Sequence, residues 1–184
     1  MKILSRFLAI SALTALSIVS CGGEGANPDA GLRFYISKLA PTSDGINTTC
    51  TLAALNVVKA DYADITFTNK AVGKADPIDI VLENYTIDYT PLDKGAPKLK
   101  ASANGYRMTD TVPGNGALAG KVMLASIDIK DQFLSATTGT TAYGSTFAYK
   151  VHYLFTGHTV TQKAVSTEGE TSMTMGNTYI VACP

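Results

Sequence analysis

Residues Thr146 to Thr156 limit the possible folds more than any other stretch of the chain. Phe147, Tyr149, Val151, Tyr153 and Phe155 recur at every second position, with Ala148, Lys150, His152 and Leu154 between them. A period of two places the five large side chains on one face of a β-strand. An aromatic stripe can serve as a carbohydrate- or peptide-binding face, but an inward stripe is also what the core of two packed sheets requires. We therefore read Phe147 to Phe155 as core, and His152 as an exposed residue opposite it.

The remaining punctuation is that of an all-β chain. Leu32 to Leu39 reads as a first strand, ended by Pro41 and Asp44-Gly45. Thr48 to Val58 allows a helical turn through Leu52, Leu55 and Val58, although its flanks suit a strand better. Tyr62 to Thr68 alternates cleanly. In Ile78 to Thr90, Ile78, Ile80 and Leu82 share one parity and Tyr85, Ile87 and Tyr89 the other. A strand cannot change face without an extra residue, so a β-bulge or short break is expected at Glu83-Asn84. Val112 to Gly116 is turn-rich, and Lys121 to Ile129 reads as a strand with Met123, Ala125, Ile127 and Ile129 on one face. Ser135 to Gly144 reads as a loop. Gly157-His158 and Glu168-Gly169-Glu170 read as turns, and Thr171 to Cys183 as the closing strand.

The amino terminus has a different character. Lys2 and Arg6 precede an apolar run of 13 residues, Phe7 to Val19, with no acidic residue before Cys21. A transmembrane helix needs roughly 20 apolar residues, whereas a basic start and a short apolar run are the layout of a secretory signal peptide. No A-x-A cleavage site follows; Ile18-Val19-Ser20-Cys21 stands there instead, ahead of Gly22-Gly23-Glu24-Gly25. This tetrapeptide resembles the lipobox of bacterial lipoproteins. The resemblance implies cleavage before Cys21, a diacylglycerol on its thiol, and anchoring in a membrane. Only a thiolate is nucleophilic enough to take the lipid, and stable anchoring takes at least two acyl chains. Gly22 stands where enterobacterial lipoproteins kept at the inner membrane carry Asp, which by the same resemblance favours the outer membrane. The expected division is a signal peptide over 1–20, a lipidated flexible tether over 21–31 and a folded domain over 32–184.

Removing residues 1–20 leaves 164, enough for one domain with its own core. Without Lys2 and Arg6, 13 basic and 15 acidic residues leave a net charge of −2, which gives no footprint for nucleic acid. Once Cys21 is assigned to lipid, Cys50 and Cys183 form an even pair in an oxidising compartment. A bridge between them would close a loop of about 130 residues, worth roughly 5 kcal/mol in the chain-entropy model; the alternative is two buried thiols. Metal binding by this pair lacks support, since no ligand lies near either cysteine at suitable spacing.

Few other constellations carry chemistry. Gly114-Asn115-Gly116-Ala117-Leu118-Ala119 has the letters of a dinucleotide fingerprint, but Val112-Pro113 precede it and a β pattern follows, so it reads as a turn. Asp61, Asp64, Asp76 and Asp79 could supply carboxylates to Ca²⁺ if their loops converged; they also read as solvated strand ends. His152 and His158 have no carboxylate close by in sequence to orient them, and G-x-S-x-G and H-E-x-x-H are absent.

Seven to nine short strands at this spacing predict a single antiparallel β-sandwich. Tyr85-Thr86-Ile87-Asp88-Tyr89-Thr90-Pro91 resembles the alternating-tyrosine strand of fibronectin type III and other immunoglobulin-like sandwiches, and the final hairpins are similar to their closing strands. The whole resembles uncharacterised envelope lipoproteins with one such sandwich behind a lipobox. The tryptophan usual in immunoglobulin domains is absent. The expectation is a lipid-anchored, non-catalytic binding or structural module without a cofactor, partnered by another envelope protein. A small-ligand or glycan binder using the sandwich-end loops is the alternative, and a hydrolase the weakest reading.

Overall fold

The fold is described from a computed structural model covering residues 25–27, 31–42, 46–52, 55–56, 59–101, 103–137 and 145–180. Its elements are β1 (Gly25–Asn27), β2 (Leu32–Pro41), β3 (Ile46–Leu52), β4 (Leu55–Asn56), β5 (Asp61–Ala71) and β6 (Ile80–Pro91). Then follow β7 (Tyr106–Arg107), β8 (Thr111–Val112), β9 (Ala117–Ala125), α1 (Ile127–Thr137), β10 (Thr146–Thr159) and β11 (Ala164–Ile180). One sheet runs β1-β2-β5-β9. The other runs β4-β3-β11-β10-β6-β7, with β8 also paired to β6. Neighbouring strands are antiparallel except β3 and β11, which run parallel. The protein is a β-sandwich, as the alternation requires. The order β2-β5-β9 opposite β11-β10-β6 corresponds to strands A-B-E opposite G-F-C of immunoglobulin-like sandwiches.

The core lies between the sheets. From β10, Tyr149, Val151, Tyr153 and Phe155 are all fully buried, so the stripe that defines the sequence faces inward. Phe155 meets Phe67 of β5 edge to face with ring centroids 4.9 Å apart, and Phe67 stacks on Phe34 of β2 at 5.9 Å. Such pairs contribute about 0.5–1.5 kcal/mol beyond their buried area.

Each buried tyrosine also reaches a backbone partner. Tyr153 Oη donates to the Met123 carbonyl at 2.9 Å, Tyr89 Oη donates to that of Leu124 at 2.8 Å, and Tyr85 Oη accepts from Met123 N–H at 3.0 Å. These hydroxyls come from the large sheet and bond backbone groups near the end of β9, the last strand of the small one. An edge strand with free donors and acceptors invites pairing with other chains, and at Met123 and Leu124 these groups are instead met from within the sandwich. Burial raises the Tyr153 and Tyr89 phenols well above their ordinary range, with further contributions from neighbouring tyrosines. Burial also raises Tyr85, partly offset by its backbone bond to Met123.

The bulge expected near Glu83 is present. Thr156 pairs with Asn84 and Gly157 with Leu82, so Glu83 is the extra residue. Upstream of it Ile80 and Leu82 point inward; downstream Tyr85, Ile87 and Tyr89 do.

Four local expectations are corrected. Gly25–Asn27, within the expected tether, pairs with β2, so the sheet begins at Gly25 rather than at Leu32. Lys121 to Ile129 is not one strand: β9 ends at Ala125, buries Val122 and Leu124 rather than Met123, and gives way to α1. Ser126 caps that helix through Oγ, which accepts from Ile129 N–H at 3.3 Å. Ile129, Phe133 and Thr137 then repeat at helical spacing as its buried face. Gly157-His158 is not a turn; β10 continues to Thr159, and the reversal lies at 160–163, where Gln162 takes a φ of 63°. Glu168-Gly169-Glu170 is likewise within β11. Gly169 faces β2 so closely that a Cβ there would sit 2.7 Å from Ile36 Cδ1. At both sites glycine permits close backbone approach within the sandwich, a requirement that looks like a turn signal in sequence.

The α1 helix is fixed over the end of the sandwich by Lys130. Its side chain is 5 % exposed, and Nζ contacts the Asp61 carboxylate and donates to the Lys59 carbonyl.

Candidate functional site

The loop between β6 and β7 shapes two clefts. Its start is tied to β10: Asp93 Oδ2 accepts from Ala148 N–H at 2.6 Å, and Tyr149 Oη donates to the Pro97 carbonyl at 2.9 Å. Burial, and then the nearby Asp93 charge, push the Tyr149 phenol up to about 12. Leu99 is buried in the core. At Lys100 the backbone pairs with the amide of Gln132 on α1, donating to Oε1 at 2.9 Å and accepting from Nε2 at 3.0 Å. The loop is thereby tied to β10 and to α1, with Lys100 shared between the two openings.

Between the loop and α1 lies a cleft of about 670 Å³, lined by Lys98, Lys100, Asp128, Asp131, Gln132 and Ser135. Between the loop and β6 lies a second, of about 640 Å³, bounded by Thr86 to Thr90 and by Leu99 to Ala101. Both are open to solvent over much of their extent. Their walls pair ammonium groups with carboxylates and backbone, a chemistry suited to polar or zwitterionic ligands. Sequence reasoning located only the general ends of the sandwich. The clefts depend on Gln132 reaching a loop more than thirty positions away, and no local pattern encodes that contact.

The outer face of the large sheet groups charges that the sequence keeps apart. His152 Nε2 lies 3.3 Å from Glu168 Oε2, Lys150 Nζ lies 3.1 Å from Glu170 Oε1, and His158 Nδ1 lies 3.2 Å from Glu83 Oε1. Asp88 pairs in register with His152 from the other side. His152 thus stands opposite the aromatic face, as expected, but it has a carboxylate neighbour across the strands. Reading Glu168-Gly169-Glu170 as a turn concealed this. The side chains of Glu168 and Glu83 are 60 % and 52 % exposed, and such open pairs add at most about 1 kcal/mol each to stability.

Three of the four aspartates considered for Ca²⁺ have separate partners. Asp61 pairs with Lys130, Asp64 lies 3.9 Å from Lys38, and Asp79 Oδ1 accepts from Gly114 N–H at 2.7 Å, while Asp76 is exposed. Among the described residues, no three His, Cys, Asp or Glu side chains are grouped to hold a metal ion. Gly114 to Gly116 form a turn, with Gly116 N–H bonded to the Pro113 carbonyl at 3.0 Å, and β9 follows. Cys21 and Cys183 lie outside the described residues, so neither lipidation nor the Cys50–Cys183 bridge is visible. The backbone of Cys50 lies in β3, in register with Ile180 of β11.

Among the described residues, no helix is long and apolar enough to cross a membrane. No protein-family model matches the chain, and no curated protein matches its sequence.

Proposed function

We propose that the protein is a bacterial envelope lipoprotein, anchored by acyl chains on Cys21, whose sandwich acts as a non-catalytic binding or structural module. The observation that carries this reading is the order of Lys2 and Arg6, the apolar run Phe7 to Val19, and Ile18-Val19-Ser20-Cys21, all ahead of a folded domain. Gly22 after the cysteine favours the outer membrane over the inner one. The partner is another envelope protein, and the sandwich is the rigid body that presents its loops.

A second reading, a lipoprotein that binds a small ligand or glycan, is favoured by the two clefts that share Lys100. In that reading Lys100 bridges both openings, and Gln132 holds its backbone in place.

Radiolabelled palmitate separates anchor from no anchor. Wild type should incorporate label and fractionate with membranes, and Cys21→Ala should do neither. Equal membrane partitioning of the two would overturn the lipobox assignment. Cross-linking in intact cells then distinguishes the roles. A stoichiometric protein partner supports the first, whereas a glycan that raises the melting midpoint of wild type but not of Lys100→Glu supports the second.

A further inference from the structure

The two outer faces of the sandwich carry opposite charge. On the small sheet, the outward residues of β2, β5 and β9 include exposed Lys38, Lys70 and Lys121, with Arg33 opposite Lys70. Asp64 is the one carboxylate among these outward described residues, registered opposite Lys121 and 3.9 Å from Lys38. Tyr62, 41 % exposed, lies on the same face. On the large sheet, the outward residues of β6, β7, β10 and β11 present Glu83, Asp88, Glu168 and Glu170 against Lys150, Arg107 and the imidazoles of His152 and His158. A chain with nearly balanced charge has therefore segregated it onto opposite sides.

Strand β1 links the basic side to the amino terminus. It occupies the edge of the small sheet, with Gly25 opposite Phe34 and Ala26 opposite Arg33. Only Gly22, Gly23 and Glu24 separate Cys21 from Gly25. Four extended residues reach at most about 14 Å. A free tether over 21–31 could extend to about 35 Å, so the shorter leash keeps the domain within a distance comparable to the roughly 8–10 Å over which charges act through physiological salt. With one end held, even weak attraction of a few cations becomes an intramolecular contact of high effective concentration.

We infer that the outer face of the small sheet, through Lys38, Lys70 and Lys121, lies against the anionic phospholipid headgroups of the membrane that holds the protein. The orientation turns the acidic large sheet, and with it Thr86, Asp88 and Thr90 at the second cleft, away from the bilayer. This inference rests on the anchor at Cys21 for its short leash, but the charged face can be tested separately.

The full lipidated protein is mixed at low salt with neutral phosphatidylcholine vesicles or with vesicles containing a third phosphatidylglycerol. Flotation reports binding, and mass spectrometry reports amine labelling of each lysine. Flotation with both, with Lys38, Lys70 and Lys121 labelled at least about threefold more slowly only on anionic vesicles while Lys94 and Lys150 are unchanged, supports both anchor and face. Protection should vanish at about 0.5 M salt and in K38E/K70E/K121E. Flotation with both but equal labelling overturns the face and leaves the anchor. Flotation only with anionic vesicles, with the same lysines protected, supports the face and overturns the anchor. Flotation with neither overturns both.

Discussion

The Tyr153 hydroxyl donates to the Met123 carbonyl across the gap between the sheets, at 2.9 Å. Tyr85 accepts from the N–H of the same residue at 3.0 Å, so both polar groups of one edge residue are met from the opposing sheet. Removing either hydroxyl leaves a partly buried backbone group without its partner. Tyr153→Phe should cost about 1–2 kcal/mol in urea unfolding, and Tyr85→Phe a similar amount. The double variant should deviate from additivity because both act on Met123. A loss below about 0.3 kcal/mol in each single variant would show that water replaces these bonds freely.

The same tyrosines set the alkaline limit of the fold. An unfolded tyrosine ionises near pH 10, whereas folded Tyr149 holds its proton to about 12, and Tyr85, Tyr89 and Tyr153 are also raised. Above pH 10 the folded state binds more protons than the unfolded one, so stability falls as pH rises. Each shifted tyrosine contributes a slope of about 1.4 kcal/mol per pH unit. The stabilising difference is complete below pH 10 and is lost through pH 12 and beyond. Absorbance at 295 nm should therefore show these phenols ionising together with unfolding. Independent ionisation near pH 10, with circular dichroism unchanged, would contradict their burial.

Gly157 is a packing requirement of the bulge. A Cβ there would stand 2.2 Å from the Val81 carbonyl oxygen and 3.1 Å from Leu82 Cα. Backbone cannot swing aside as a side chain can, so Gly157→Ala should destabilise by more than about 2 kcal/mol. Gly120, in β9, has open space around it. Gly120→Ala should leave stability unchanged or raise it by up to about 1 kcal/mol. Equal melting temperatures for the two variants would remove the steric argument.

Cys50 lies in register with Ile180, three positions before Cys183 in the sequence. If the two cysteines bridge, Cys50→Ala and Cys50→Ala/Cys183→Ala should lose the same stability under oxidising conditions, up to roughly 5 kcal/mol. Wild type treated with reductant should match both. A double variant clearly different from the single one would argue for separate thiols.

The sequence made the sandwich legible because period-two alternation is a local signal of burial on one face. It also made the Glu83 bulge legible, since the buried parity switches between Leu82 and Tyr85 and a strand needs an added residue to do that. Glycine was the main source of error. Gly157 and Gly169 carry the same letter as a turn glycine, but their reason lies across space, against Val81 and Ile36. The helix was missed because Ile127 and Ile129 also fit strand alternation, and only Phe133 and Thr137 reveal the longer period. The clefts depend on Gln132 meeting Lys100, and the His152–Glu168 pair on strand register. Neither relation is written in neighbouring residues.

The parallel pairing of β3 with β11 also fixes an order of assembly. The small sheet is complete once β9 has been made, but β3 joins the body of the large sheet only through β11, the last strand in the chain. A chain emerging from its amino terminus therefore holds β3 and the outer edge of β10 open until Ala164 to Ile180 arrives. A product truncated before Ala164 would retain most of the hydrophobic stripe while exposing two unpaired edges, a combination that favours aggregation over a smaller folded domain.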